Sequence, residues 1–251
     1  MERDFCERTK KGSFPVIMFE EFKDIHKGER GFIIATGPSL KVSDLDRLVG
    51  EVTFSCNKIF LAFDQTDWRP TYYSIIDRLV AQDMSEKVRE IRSTKIFSGV
   101  TRPFIHDTDI LWLRDLPSPV VDGNRVATFS TDLSVGTYGG ATVVYTLMQM
   151  AYYMGIQTLY LLGLDFKFTA SPDTGKKTAA GEVILQQANE VNHFHPNYRQ
   201  TQSYWTQPRL DEQYKAFICA KQAFEADGRQ ILNASRQTAL DVFERVDYDK
   251  L

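Results

Sequence analysis

Two histidines two positions apart, His193 and His195, are the side chains of this sequence best suited to moving a proton near neutral pH. They lie in a polar stretch that also holds Tyr198, Tyr204 and Trp205, aromatic faces on which a sugar or a base can stack. In an extended segment, residues two apart share a side, so either imidazole could serve as a base. A loop histidine bonded to backbone is the plainer reading. A metal site is a weaker one, because no acid or cysteine cluster stands nearby. His26 and His106 have no comparable surroundings.

A second set of residues sits where apolar runs stop. GFIIATGPSL, residues 31–40, carries Phe32, Ile33 and Ile34 into Gly37, Pro38 and Ser39, which predicts a buried strand ended by a turn whose N–H groups could face an anion. Cys56 and Asn57, with Lys58, follow a second run, and Asp77 ends a third, TYYSIID. Gly139 and Gly140 open a helix, and Gly163-Leu164-Asp165 closes the most apolar strand. In a parallel sheet these strand ends share one edge, which is where open α/β sheets bind ligands. Glycine N–H groups suit phosphates, the Asn57 amide suits a base or ribose, and Asp77 or Asp165 suits a ribose hydroxyl or Mg²⁺. Each also has a plainer role: Asn57 capping a turn, Asp77 starting a helix, the glycines permitting close packing. Singly the plainer roles read better; jointly, at matching strand ends, a nucleotide does. The G-x-x-x-x-G-K-[ST] loop is absent, as is G-x-G-x-x-G after the first strand.

The elements needed to form such an edge are legible. Strands are predicted at Phe32–Ile34 and over residues 51–57, 71–77, 95–100, 158–166 and near 229–235. A short helix is predicted to start at a Ser43 cap and end at Gly50, with further helices over 79–92, from Gly139 to Met154 and over 209–227. Residues 101–124, with three prolines, read as an irregular excursion, and 167–208 as a lid containing a short helix. The expected fold class is α/β: a Rossmann-like three-layer fold with a mostly parallel sheet and a lid-like insertion. Residues 1–28 are a lead segment, and 29–251 form one nucleotide-binding domain with the lid at about 167–208.

Composition bounds the function. The chain has 251 residues, 43% hydrophobic and 25% charged, enough for a sizeable core. Thirty Lys plus Arg against 33 Asp plus Glu give a net charge of -3 without basic runs, which argues against nucleic acid. Cys6, Cys56 and Cys219 are isolated, as expected of reduced thiols in the cytoplasm. The start of the chain lacks a signal-peptide pattern, and the apolar stretch 141–164 is interrupted by Gln149, Gly155 and Gln157, so a buried helix and strand are expected there rather than a membrane span.

The series FIIATGPSLKVSDLD, TFSCNKIF, WRPTYYSIID, GGATVVYTLMQMAYYMG and LYLLGLDF resembles the MptE-like family. That family includes archaeal 6-hydroxymethylpterin pyrophosphokinases and the core of Maf-type flagellin glycosylation factors. The chain is also similar to bacterial family 42 sialyltransferases, through the GPSL turn, the Cys-Asn pair and the Gly-hydrophobic-Asp-Phe strand end. The likeness runs over residues 30 to 235. It implies a Rossmann-like domain that binds a nucleotide, often a cytidine nucleotide in the sialyltransferase branch, beneath a lid. It places Gly37, Pro38 and Ser39 at phosphate or ribose, Asn57 near the nucleotide, and Gly139 and Gly140 at the helix that closes the pocket. The catalytic histidine of the sialyltransferases falls in the region of His193 and His195, of which His195 is preferred. Where those enzymes carry a tyrosine after Asp-Phe that steadies the leaving phosphate, this chain has Lys167, which could meet the same anion but departs from the sialic-acid donor pattern.

The leading expectation is a glycosyltransferase of surface-polysaccharide or glycoconjugate assembly, using a nucleotide-sugar donor, CMP-linked by resemblance, with no metal. The alternatives are a diphosphotransferase using ATP and Mg²⁺ held by Asp77 and Asp165, and a non-catalytic nucleotide-binding subunit. The expected partners are a nucleotide or nucleotide-sugar and a glycan or lipid-linked acceptor, with no nucleic acid and no transmembrane span. Peripheral membrane association and a homo-oligomer stay open.

Overall fold

Arg30–Ile34 (β1) is apolar on both sides, and the two sides enter different cores. Phe32 and Ile34 pack with Tyr73 and Phe97, whereas Ile33 packs with Phe54 and Leu161. A strand of this kind needs a cover on each face, which is the parallel α/β arrangement. The computed structural model describes residues 19–178, 181–188, 191–199 and 204–251, with Asn124 by its backbone alone.

Within these residues the further strands are Val52–Cys56 (β2), Tyr72–Ser74 (β3), Thr94–Ser98 (β4), Ile110–Leu113 (β5), Thr158–Leu162 (β6), Asp173–Lys177 (β7), Val183–Gln186 (β8), Tyr204–Thr206 (β9), Gln230–Asn233 (β10) and Glu244–Arg245 (β11). The helices are Val42–Leu45 (α1), Arg78–Met84 (α2), Val143–Tyr153 (α3) and Leu210–Ala226 (α4). Eight strands form one sheet in the order β11-β10-β6-β1-β2-β3-β4-β5, with every pair parallel. The chain steps outward from β1 to β5, then returns through α3 to β6 on the other side of β1. The strand order therefore reverses between β1 and β6, and a crevice opens at their carboxyl ends.

Helices α3 and α4 cover one face through Leu147, Met150, Phe217 and Phe224, while Leu45 of α1 and Ala81 and Met84 of α2 cover the other. In α3 every residue except Tyr152 is buried. Thr142 caps it by accepting the Val144 N–H, and Gly155, at φ +90°, lets the chain leave it. This accounts for the apolarity of 141–164 by burial, and no helix among the described residues is long and apolar enough to cross a membrane.

Several expectations are corrected. Ser43 lies inside α1, whose N-cap position is Lys41 with no side-chain bond. The helix foreseen over 79–92 is α2 followed by a separate 3-10 turn, Lys87–Glu90. The excursion 101–124 contains β5, an edge strand of the main sheet, and β11 was not foreseen. The lid is more than a loop with a short helix: the short helix is there, as the 3-10 turn Pro196–Tyr198, but β7, β8 and β9 also form an antiparallel sheet of their own. Two-residue ribbons, Asp115–Leu116 with Thr137–Tyr138 and Val120–Val121 with Asn124–Arg125, complete the excursion before α3. Residues 1–18 of the lead segment, and Cys6 with them, lie outside the described residues.

Candidate functional site

At the switch between β1 and β6 the two strand-end turns are laced together. The Ala35 N–H donates to the Leu162 carbonyl (2.8 Å), the Gly37 N–H to the Gly163 carbonyl (2.9 Å) and the Ser39 N–H to Asp165 Oδ2 (3.2 Å). A Cβ on Gly37 would collide with the Asp165 carboxylate and stand 2.5 Å from the Gly163 carbonyl oxygen. Gly37 is thus a close-packing glycine. Its N–H and that of Ser39, foreseen as anion donors, are spent inside the fold. The Ser39 hydroxyl donates to the Gln237 carbonyl (3.3 Å), and Pro38, exposed, has no N–H to offer. Burial pushes the Asp165 carboxyl above its ordinary range, while the Ser39 hydrogen bonds oppose that.

Next along the edge, Asn57 adopts a left-handed backbone at φ +50° and its carbonyl accepts the Tyr73 hydroxyl (2.5 Å). Its Oδ1 is buried without a hydrogen-bond partner among the described residues, and so is Oγ of Ser74 at the end of β3. Such atoms are costly unless something pairs with them. Lys58 pairs with Asp83 (2.5 Å) and stands 5.9 Å from the centre of the Tyr198 ring. Asp77 takes the plainer of its two roles. Its Oδ1 accepts the N–H groups of Leu79 and Val80 as the cap of α2, and its Oδ2 accepts the Thr206 hydroxyl from β9 of the lid (3.3 Å).

The lid meets the sheet at Thr36, just past β1. The Phe194 N–H donates to the Thr36 carbonyl (3.0 Å), and the Thr36 hydroxyl donates to the Tyr198 hydroxyl (3.2 Å). His193 stacks on Tyr198 with ring centres 3.6 Å apart. Its Nε2 lies 3.2 Å from Nε and 3.0 Å from Nη2 of Arg199. A guanidinium only donates, so this nitrogen is the acceptor and the ring proton sits on Nδ1, 3.4 Å from Thr36 Oγ1. Burial, with Arg199 and Lys58 adding to it, pushes the His193 imidazole down to about 3. His195 is arranged the opposite way. Its Nδ1 accepts the Asn197 N–H (3.1 Å), so the neutral ring carries its proton on Nε2. Both histidines and Arg199 line a cavity of about 370 Å³ within the lid. Arg199 also lies over the Trp205 ring, 3.8 Å from its centre.

The remaining candidates separate. Gly139 has open space on its Cβ side, whereas a Cβ on Gly140 would stand 2.5 Å from the Tyr145 ring and 2.8 Å from Ala216, so Gly140 packs α3 against α4. Lys167 is exposed. Among the described residues no group of three or more His, Cys, Asp or Glu is placed to hold a metal ion. Asp77 as a helix cap and Asp165 under the Gly-Pro-Ser turn do not fit the cation cradle expected of them. Thr36, which joins lid to sheet, and Arg199, which holds His193 within the lid, went unnoticed in the sequence. Arg199 alone carried a signal, as the single arginine of residues 167–208, set among the lid's aromatics.

A doubly wound parallel sheet with a small antiparallel lid at the carboxyl end of β1 defines a Rossmann-like α/β protein. Residues 10–171 match the family described as 6-hydroxymethylpterin diphosphokinase MptE-like, and the chain belongs to that family. Its fold is also that of the MAf glycosyltransferase from Magnetospirillum magneticum AMB-1, with a TM-score of 0.52 at 15% identity over 94% of this chain. The chain spans 38% of that protein's length. No curated protein sequence matches it.

Proposed function

We propose that the protein is a glycosyltransferase that moves a sugar from a nucleotide donor, CMP-linked in the leading form, onto a hydroxyl of a glycan or lipid-linked acceptor in glycoconjugate assembly. The observation that carries this reading is the joint at Thr36, where an imidazole and guanidinium cluster of the lid closes over the carboxyl ends of β1 and β2. A nucleotide lying along that edge would meet the unpartnered Oδ1 of Asn57, while its phosphate would approach Arg199 and the Nε2–H of His195. His193, oriented through Nδ1 by Thr36, is then the better base, which reverses the preference drawn from the sequence. The fold shared with a glycosyltransferase favours the same class. The diphosphotransferase alternative has the family's own description behind it, but Asp77 and Asp165, the acids that would hold its Mg²⁺, are committed to the fold's own hydrogen bonds.

The test is a thermal-shift panel of CMP, CDP, CTP, UDP, GDP and ATP, with and without Mg²⁺, followed by assay of nucleotide release from the matching sugar donor. Stabilisation by a cytidine nucleotide without Mg²⁺ is expected. Stabilisation by ATP alone, dependent on Mg²⁺, would transfer the assignment to the diphosphotransferase class.

A further inference from the structure

The hydrogen bonds of Arg199 put its guanidinium on the one nitrogen of His193 that could act as a base. Nδ1 carries the ring proton and faces Thr36, so Nε2 holds the only available lone pair, and Arg199 occupies it through two nitrogens. A neutral imidazole is a weak acceptor for such a donor; a phosphate oxygen forms the stronger, charge-assisted and bidentate pair. The guanidinium is also seated so that it can change partner. Its Cζ stands 3.8 Å from the centre of the Trp205 ring, a contact without the fixed direction of a hydrogen bond, and Arg199 borders the same cavity as both histidines.

We propose that a phosphate of the bound nucleotide draws the Arg199 guanidinium off His193 Nε2, so that the imidazole gains a free lone pair only when the donor is in place. Arg199 is then an anion-binding and positioning residue that ties occupancy of the site to availability of the base. The inference rests on the proposed function in taking the anion to be a nucleotide's. Without that anion, the charges facing His193 are Arg199 from the lid and Lys58 from the sheet edge, with the Tyr198 hydroxyl beside it; both cations oppose its protonation, and Lys58 is itself paired with Asp83. With a phosphate in the cavity, the guanidinium is neutralised and a negative group replaces it near the ring. The acceptor hydroxyl's proton could then pass to Nε2 while Nδ1–H keeps its hold on Thr36.

The experiment is NMR of the full chain labelled with ¹⁵N-histidine, with His193 assigned by the loss of its signals in His193→Gln. The imidazole is titrated without ligand, with CMP and with inorganic diphosphate. Release should raise the His193 midpoint by at least about one pH unit on adding either probe. Arg199→Met, which keeps the stem and removes the donors, should show the raised midpoint without any ligand and no further response. An unchanged His193 signal with both probes overturns the proposal, whether the probes fail to bind or bind without moving Arg199. So does an Arg199→Met protein that titrates as wild type. If Arg199→Met does not fold, the wild-type titration decides alone. A nucleotide that stabilises the protein and leaves His193 unmoved sinks this inference and spares the proposed function. Diphosphate that moves His193 when no nucleotide of the panel binds does the reverse.

Discussion

Gly37 and His193 show how single atoms set the properties of this site. At Gly37 the missing Cβ is what lets the Gly-Pro-Ser turn lie against Asp165 and the Gly163 carbonyl. Gly37→Ala should therefore lower stability by about 1–3 kcal/mol through overpacking, in chemical denaturation without any ligand. Adding Asp165→Ala should restore only part of that, because the Gly163 carbonyl still obstructs the new methyl. A Gly37→Ala protein as stable as wild type would return the glycine to a purely ligand-facing role. At His193 the imidazole is held neutral by burial, with a folded-state value of about 3 against an ordinary 6.5. Because the folded value is the lower one, the unfolded chain takes up the proton first, and stability is lost as pH falls below the ordinary value. Between about pH 7 and about pH 5, wild type should lose roughly 2 kcal/mol more than His193→Gln. Equal losses in the two proteins would mean that this imidazole is not buried neutral.

Elements explain what the sequence made legible and what it did not. Strands β1, β2 and β6 and helices α3 and α4 were readable because their apolar periodicity is dictated by one packing task, covering or filling a two-faced sheet. The ends of the strands were readable as a set, yet the roles of individual residues there were not. Gly37, Gly140 and Asp77 have the residue types of a ligand site and serve packing and capping, a choice made by neighbours distant in sequence such as Asp165, Ala216 and Thr206. The edge strand β5 hid among prolines, and the lid sheet hid because its strands are short and β7 is largely exposed with little alternation. Gln149 is the same lesson in reverse. It counted against a membrane span, and in the fold it is the fully buried clamp of the segment before α3. Its Oε1 accepts the N–H groups of Ser130 and Tyr138 (both 3.0 Å), and its Nε2 donates to the carbonyls of Tyr138 and Tyr145. Gln149→Leu keeps the volume and orphans that set, so a loss of about 2–4 kcal/mol is expected in urea denaturation. A loss under a few tenths would show that the 130–138 segment is held by its other contacts.

On the scale of the whole molecule, the sheet and the lid are two structures whose coupling runs through a small joint. The sheet is held by two apolar cores, one on each face, built mainly from the sheet and its own helices, with Phe194 of the lid packed against the core that holds Phe32 and Ile34. The lid has its own three-stranded sheet and touches the main body through Thr36, through Phe194 against the core, through Lys58 beside the Tyr198 ring, through the bond from Thr206 to Asp77 and through the ion pair of Glu182 with Arg209 ahead of α4. Thr36 is the member of this joint that also orients His193, so its hydroxyl links the position of the lid to that of the proposed base. Thr36→Val preserves the shape of a buried side chain and removes the hydroxyl that serves Tyr198 and His193. Two hydrogen bonds at about 1 kcal/mol each correspond to roughly a tenfold change or more in local opening. In hydrogen exchange, the amides of Phe194 and Gln186 should lose protection by that factor, whereas those of Ile33, Phe54 and Leu161 in β1, β2 and β6 should keep theirs. A parallel fall across both sets would mean that lid and sheet open as one unit, and no change in either would mean that the remaining contacts hold the lid without Thr36. The selective loss is the expected result, because the backbone bond from Phe194 to the Thr36 carbonyl survives the substitution and keeps the lid tethered while its seating over the site loosens.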